Sequence, residues 1–160
     1  MRIALIYPAR QMAYWPSLGL GYVAAMLEKE GHRVHIIDRN PTLMRGGDVD
    51  VHTRKSLNEI KPDMAGITAT TPLMEDVIRV LRILNEETPG IPIVMGGPHV
   101  SALPEETLHR YPEIDIVVRL SQNVMPDGRH CVPLGQTYSG LIAPNGLEMS
   151  RAGALLLPSF

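Results

Sequence analysis

Cysteine is almost missing from this chain: its 160 residues include one, Cys131. A lone thiol excludes an internal disulfide and any self-contained cysteine cluster for zinc or iron–sulfur. Aromatic residues make up 4% of the sequence, too few for a base-stacking platform. Neither sign of charge dominates, since 15 Lys and Arg face 17 Asp and Glu for a net charge of -2. That balance gives no electrostatic case for nucleic acid or an anionic membrane. No stretch approaches the ~20 apolar residues of a membrane span. The apolar start, Met1 to Tyr7, is too short for a signal peptide. A reducing cytoplasm is the expected compartment. Also absent are a Walker loop, a repeat, a low-complexity tract and an acidic pair after the first strand to hold Mg²⁺. Tyr7-Pro-Ala-Arg stands where a dinucleotide domain has its Gly-x-Gly turn.

What remains is an ordinary globular composition, 44% hydrophobic and 20% charged, long enough for one sizeable core. Arg2 to Tyr7 reads as a buried strand, and Leu18 to Glu30 as a helix closed by Gly31. Strands follow at Val34 to Ile37, Met64 to Thr68, Ile91 to Met95 and Asp115 to Val118. Helical spacing recurs at Ser56 to Ile60, Met74 to Glu87 and Pro104 to Arg110, whereas Thr42 to Val51 looks irregular. This alternation predicts an α/β fold, a doubly wound sheet of about five parallel strands in the flavodoxin-like order 2-1-3-4-5. The pattern ends at residue 119. Residues 120–160 carry scattered prolines and glycines without a period. Such a tail is uncommon in a compact domain. It reads as a mobile tail, a set of short strands, or a piece that needs a partner.

In such a sheet, ligands sit at the carboxyl ends of the strands. Those ends deliver Pro8 to Ser17, Asp38 to Pro41, Thr68 to Thr71 and Gly96 to His99. The set has hydroxyls, glycine backbone and a large loop, but no nucleophile with a base beside it. It suits holding a large, mostly uncharged ligand better than breaking bonds, so no catalytic residue is expected. Gly96-Gly97 lets a backbone approach where a Cβ would collide. Thr68, Thr70 and Thr71 serve equally as ligand hydroxyls or as helix caps. His99 and Trp15 have plain alternatives as surface residues, and Asp38 as the cap of a turn.

Gly66-Ile-Thr-Ala-Thr-Thr-Pro and Ile91-Pro-Ile-Val-Met-Gly-Gly-Pro-His resemble the two turns of cobalamin-binding domains. Pro16-Ser-Leu-Gly-Leu-Gly-Tyr-Val, running on to Asp38, is similar to the amino-terminal domain of cobalamin-dependent radical SAM enzymes. Gly96-Gly-Pro-His-Val-Ser-Ala-Leu-Pro-Glu-Glu-Thr extends that likeness, which covers residues 1–119. These enzymes include methyltransferases and the anaerobic magnesium-protoporphyrin monomethyl ester cyclase. The resemblance implies a cobalamin whose nucleotide tail meets Thr68, Ala69 and Thr70 and passes Gly96 and Gly97, with Pro98 and His99 beside it. Tyr14, Trp15, Ser17 and Leu18 then lie toward the corrin.

Two departures bound that expectation. The loop after the first strand has no histidine to ligate cobalt, so no metal ligand is assigned in this chain. The acidic Gly-Glu-Gly-Glu turn and Cys-x-x-x-Cys-x-x-Cys motif of the radical SAM branch are missing, and Arg119-Leu-Ser-Gln-Asn-Val stands after the fifth strand. The chain therefore carries no iron–sulfur cluster and is not a complete radical SAM enzyme by itself. Its tail reads as truncated or rearranged, and a radical SAM barrel domain or subunit is the implied partner. The alternative is a non-catalytic α/β module binding another nucleotide-like ligand or a protein.

Overall fold

The structure, a computed structural model, describes residues 1–9, 17–118, 141–142 and 148–149. Strand β1, Arg2–Tyr7, is the central apolar run; Ile3, Ala4, Leu5 and Ile6 are all buried, as expected of a strand covered on both faces. Helix α1, Leu18–Lys29, begins where the Ser17 hydroxyl accepts a hydrogen bond from the Leu20 amide at 3.3 Å. It ends at Gly31, whose φ of +85° suits a helix C-terminus. Strand β2, Arg33–Asp38, then pairs with β1 in parallel, Arg2 opposite Arg33 and Tyr7 opposite Asp38.

The next stretch departs from the sequence expectation. Instead of an irregular segment and a short helix at Ser56 to Ile60, it forms α2, Asn40–Met44, and α3, Val49–Ile60. Two local signals explain the difference. Pro41 fits the first turn of α2, where its missing N–H is not needed. Asp48 caps α3, its carboxylate accepting the Asp50 and Val51 amides at 2.9 and 3.0 Å.

Strand β3, Met64–Thr68, leads through a 3₁₀ turn, Thr71–Leu73, into α4, Met74–Glu87. Strand β4, Ile93–Gly96, is followed by α5, Pro98–Ala102, and α6, Pro104–Arg110. Pro104 separates these two helices, because it lacks an N–H and disfavours helical backbone at Leu103 (φ -134°, ψ 57°). Strand β5, Ile116–Val118, completes five parallel strands in the order 2-1-3-4-5, as expected. Beyond β5 the sheet gains two short antiparallel strands, β6, Leu141–Ile142, and β7, Glu148–Met149. The tail expected to be irregular thus has these two strands within its described residues.

Helices lie on both sides of the sheet. One face packs Ala4, Ile6, Ala65, Ile67 and Met95 against α3, α4 and Val100 of α5. The other packs Ile3, Leu5 and Met64 against Leu20 and Ala24 of α1. Among the described residues, α1 is the only helix in that second core.

Candidate functional site

At the carboxyl edge the ends of β3 and β4 are tied into one unit. The Ala69 amide donates to the Gly96 carbonyl at 2.9 Å, and the His99 amide donates to the Ala69 carbonyl at 3.1 Å. The Ser101 amide and hydroxyl both reach the Gly97 carbonyl, at 3.1 and 2.9 Å. Thr71 Oγ1 and His99 Nδ1 lie 3.1 Å apart.

The two glycines of the turn differ in what surrounds them. A Cβ on Gly97 would stand 2.6 Å from the Ala69 carbonyl oxygen, 2.8 Å from its nitrogen and 3.0 Å from Thr68 Oγ1. Its φ is +105°, which side-chain-bearing residues rarely adopt. The close approach at Gly97 is therefore made by the protein's own β3 turn. At Gly96 the nearest atom to a Cβ would be the Val118 carbonyl oxygen, 4.0 Å away.

The register explains where that open space lies. Thr68 pairs with Gly96, and Gly66 with Val94, which pairs in turn with Ile116. By alternation these residues share the α1 face with Met64. Thr68, Val94, Gly96, Ile116 and Val118 are all half-buried. Beside them Leu5 leans over Gly66, where a Cβ would meet its Cδ2 at 2.8 Å. Among the described residues, Val94, Ile116 and Val118 thus form an apolar strip on the α1 face, with Thr68 at its upper end. There Thr68, Gly96 and Val118 lie side by side, all half-buried. A cavity of about 240 Å³ lies on the other face, lined by the Thr71–His99 pair of this edge together with Met74, Leu103, Glu106 and Arg110.

The remaining sequence candidates are placed as follows. The Thr70 side chain makes no capping hydrogen bond to the 3₁₀ turn it precedes. Ala69 is buried, Pro98 is exposed, and the Ser17 hydroxyl is engaged in the α1 cap. Leu18 is 74% exposed at the start of α1. Tyr14 and Trp15 lie outside the described residues. Asp38 caps a turn, its carboxylate accepting the Asn40 amide at 3.0 Å.

Sequence reasoning missed a buried ion cluster at the same edge. Arg39, just after β2, is fully buried and bonds Asp50 at 2.6 Å, Asp76 at 2.8 Å and Thr53 at 2.8 Å. Only its position beyond a strand end hinted at this, because its partners lie 11, 14 and 37 residues away. Among the described residues, no group of three or more His, Cys, Asp or Glu is arranged to hold a metal ion, and no helix is long and apolar enough to cross a membrane.

Residues 9–126 match the B12 binding domain family. The chain belongs to that family. This B12-binding domain is 38% identical over 126 residues to an uncharacterized methyltransferase of Pyrococcus horikoshii, covering 74% of this chain and 26% of the relative. It is 31% identical over 126 residues to the anaerobic magnesium-protoporphyrin IX monomethyl ester cyclase of Rubrivivax gelatinosus, covering 74% of this chain and 22% of the cyclase. The fold is similar to that of the radical S-adenosylmethionine methyltransferase TsrM from Kitasatospora setae, solved with cobalamin and a [4Fe-4S] cluster bound. That likeness has a TM-score of 0.64 and 20% identity, over 73% of this chain and 22% of TsrM. The B12-binding domain thus spans about a quarter of the length of the relatives it matches.

Proposed function

We propose that residues 1–119 hold cobalamin at the carboxyl edge of the sheet, with the nucleotide tail along the apolar strip beside α1. The observation that supports this reading is the space at Gly96 beside Thr68, where among the described residues a Cβ would meet nothing nearer than the Val118 carbonyl oxygen at 4.0 Å. The donor set suits such a ligand. An apolar floor of Val94, Ile116 and Val118 accepts an aromatic tail base, and the Thr68 hydroxyl gives it one directional contact. Gly97 serves this site by letting the β3 and β4 turns meet, while Gly96 leaves the space. Thr70 and Pro98 shape the rim, while Ala69 and His99 lock the turn beneath it through the bond from the His99 amide to the Ala69 carbonyl. Ser17 and Leu18, with Tyr14 and Trp15 before them, belong to the side facing the corrin.

The loop after β1 offers no histidine, so the chain binds the tail without supplying a lower cobalt ligand from that loop. Bound cobalamin supplies a cobalt centre suited to methyl transfer. The chain's own residues bind and orient it and exclude water from the tail. With one cysteine in 160 residues, iron–sulfur chemistry falls to a radical SAM barrel in a further domain or a partner subunit.

The test is retention of hydroxocobalamin by the purified chain after desalting, read by corrin absorbance. Dicyanocobinamide, which lacks the nucleotide tail, serves as the comparison. Retention of cobalamin in preference to cobinamide supports the reading, and Gly96→Trp should abolish it with an unchanged far-UV spectrum. A folded wild-type chain that retains no corrin overturns it.

A further inference from the structure

The cavity on the face away from α1 is walled by α6, the 3₁₀ turn before α4 and the start of α5. Its volume of about 240 Å³ is below the roughly 300–1,000 Å³ of pockets for drug-sized ligands, so it suits a small molecule. The floor is apolar. Met74 and Thr107 are buried, and the Thr107 hydroxyl is spent on the Leu103 carbonyl at 2.6 Å. One wall is the Thr71–His99 pair, with Oγ1 and Nδ1 3.1 Å apart. Glu106, in the first turn of α6, and Arg110, in its last, line the α6 wall. That spacing commonly gives an ion pair. Here, among the described residues, neither charged group has a hydrogen-bond or ion-pair partner. The Arg110 guanidinium lies 5.9 Å from the centre of the Tyr111 ring, a contact that leaves its N–H groups unspent.

We propose that this cavity binds a small zwitterion of the α-amino-acid kind, with its ammonium on Glu106, its carboxylate on Arg110 and an apolar side chain against Met74 and Leu103. The site lies on the opposite face from the proposed cobalamin contacts and does not rest on them. The charges decide the ligand class. One carboxylate and one guanidinium, unpaired with each other, favour a molecule carrying both signs, because a lone anion or cation would meet a like charge. The guanidinium fork matches a carboxylate in two parallel hydrogen bonds. Helix-end electrostatics alone do not account for the pair. Glu105 and His109 already place an acid and a base at the same two ends of α6, and neither lines the cavity.

The test titrates the full, isotope-labelled chain with L-leucine in the absence of any corrin and follows backbone amide shifts by NMR. Isocaproate, which is leucine without its ammonium, and isoamylamine, which is leucine without its carboxylate, are the comparisons. We expect leucine to move the His99, Thr107 and Arg110 amides saturably in the millimolar range while the Ile3 and Leu20 amides, on the other face, stay still. Each single-charge compound should bind at least about fivefold more weakly, the upper end of what an exposed ion pair is worth. Glu106→Gln should raise the Kd for leucine about fivefold and leave that for isocaproate unchanged, and Arg110→Met should do the same for leucine and isoamylamine. Both side chains are exposed, so neither variant should disturb folding, and the comparison of the three compounds on the wild-type chain needs no variant. The absence of a saturable shift with leucine overturns the proposal. So does either single-charge compound binding as tightly as leucine, or an unchanged leucine Kd in Glu106→Gln.

Discussion

Adding one methyl group at each glycine of the turn should produce opposite results. In Gly97→Ala the new Cβ must sit 2.6 and 2.8 Å from two backbone atoms of Ala69, neither of which can rotate away. The residue must also keep φ near +105°, a conformation that costs an L-residue about 1–3 kcal/mol. Relieving the clash moves Ala69 and weakens its bonds to the Gly96 carbonyl and the His99 amide, at 2.9 and 3.1 Å. Each is worth about 1 kcal/mol. Together these effects come to about 3–5 kcal/mol, a large share of the ~5–15 kcal/mol that holds a typical domain folded. Gly96→Ala meets nothing nearer than 4.0 Å and carries no positive φ, so it should stay within about 0.5 kcal/mol of wild type. Urea unfolding followed by circular dichroism reads both. At a slope of about 2 kcal/mol per molar urea, Gly97→Ala should lower the midpoint by roughly 2 M. Equal costs at the two positions, or a Gly97→Ala midpoint matching wild type, would refute the assignment of separate roles to these glycines.

Two further outcomes test the fold beneath the site. Leu57→Ala empties a fully buried position between α3 and the sheet and should cost about 2–5 kcal/mol by the same urea measurement, whereas Met26→Gln, at a residue 61% exposed, should cost under about 0.5 kcal/mol. Acid should also weaken the fold through its ion pairs. Hydrogen bonds from the Arg2 side chain and then its backbone hold the Asp63 carboxyl below its ordinary 3.8, and those from Arg54 and then Asn58 hold Glu87 below 4.5. Carboxylates lowered in the folded state stabilise it at neutral pH, and that contribution fades as pH falls below about 4.5 through their folded values. Thermal midpoints from pH 7 to pH 3 should therefore fall, less steeply in Arg54→Met; an equally steep acid limb in that variant would remove the Arg54–Glu87 pair as a cause.

The parallel sheet was legible because its determinants are local. The central strands β1, β3 and β4 are short apolar runs that end at Pro8, Thr68 and Gly96, and the helices between runs keep the strands parallel. Met74–Glu87 could be placed to the residue because its apolar positions recur at helical spacing between a turn and Thr88. Residues 40–60 were misread where caps, not periodicity, decide: Pro41 and Asp48 start helices whose faces carry few apolar residues. The Arg39 cluster escaped for a different reason. It depends on α3 and α4 each bringing a carboxylate to the residue after β2, and no local pattern marks one 37 residues away as a partner.

The site shows the same division between local and long-range information. Gly-Gly at a strand end marks a close approach, but not what approaches. At Gly97 the visitor is the neighbouring turn, and that closure ties His99 and Ala69 together before any ligand arrives. Gly96, one residue earlier and pointing to the other face, inherits the space because the sheet alternates and α1 is the only described helix on its side. The strand exits are held by protein contacts at Gly97 and at Ala9, whereas at Gly96 a Cβ would meet nothing among the described residues nearer than 4.0 Å. A turn that folds on its own contacts can leave its neighbouring glycine to a ligand at little cost in stability. That separation is why substitution at Gly96 should read binding, while substitution at Gly97 should read folding.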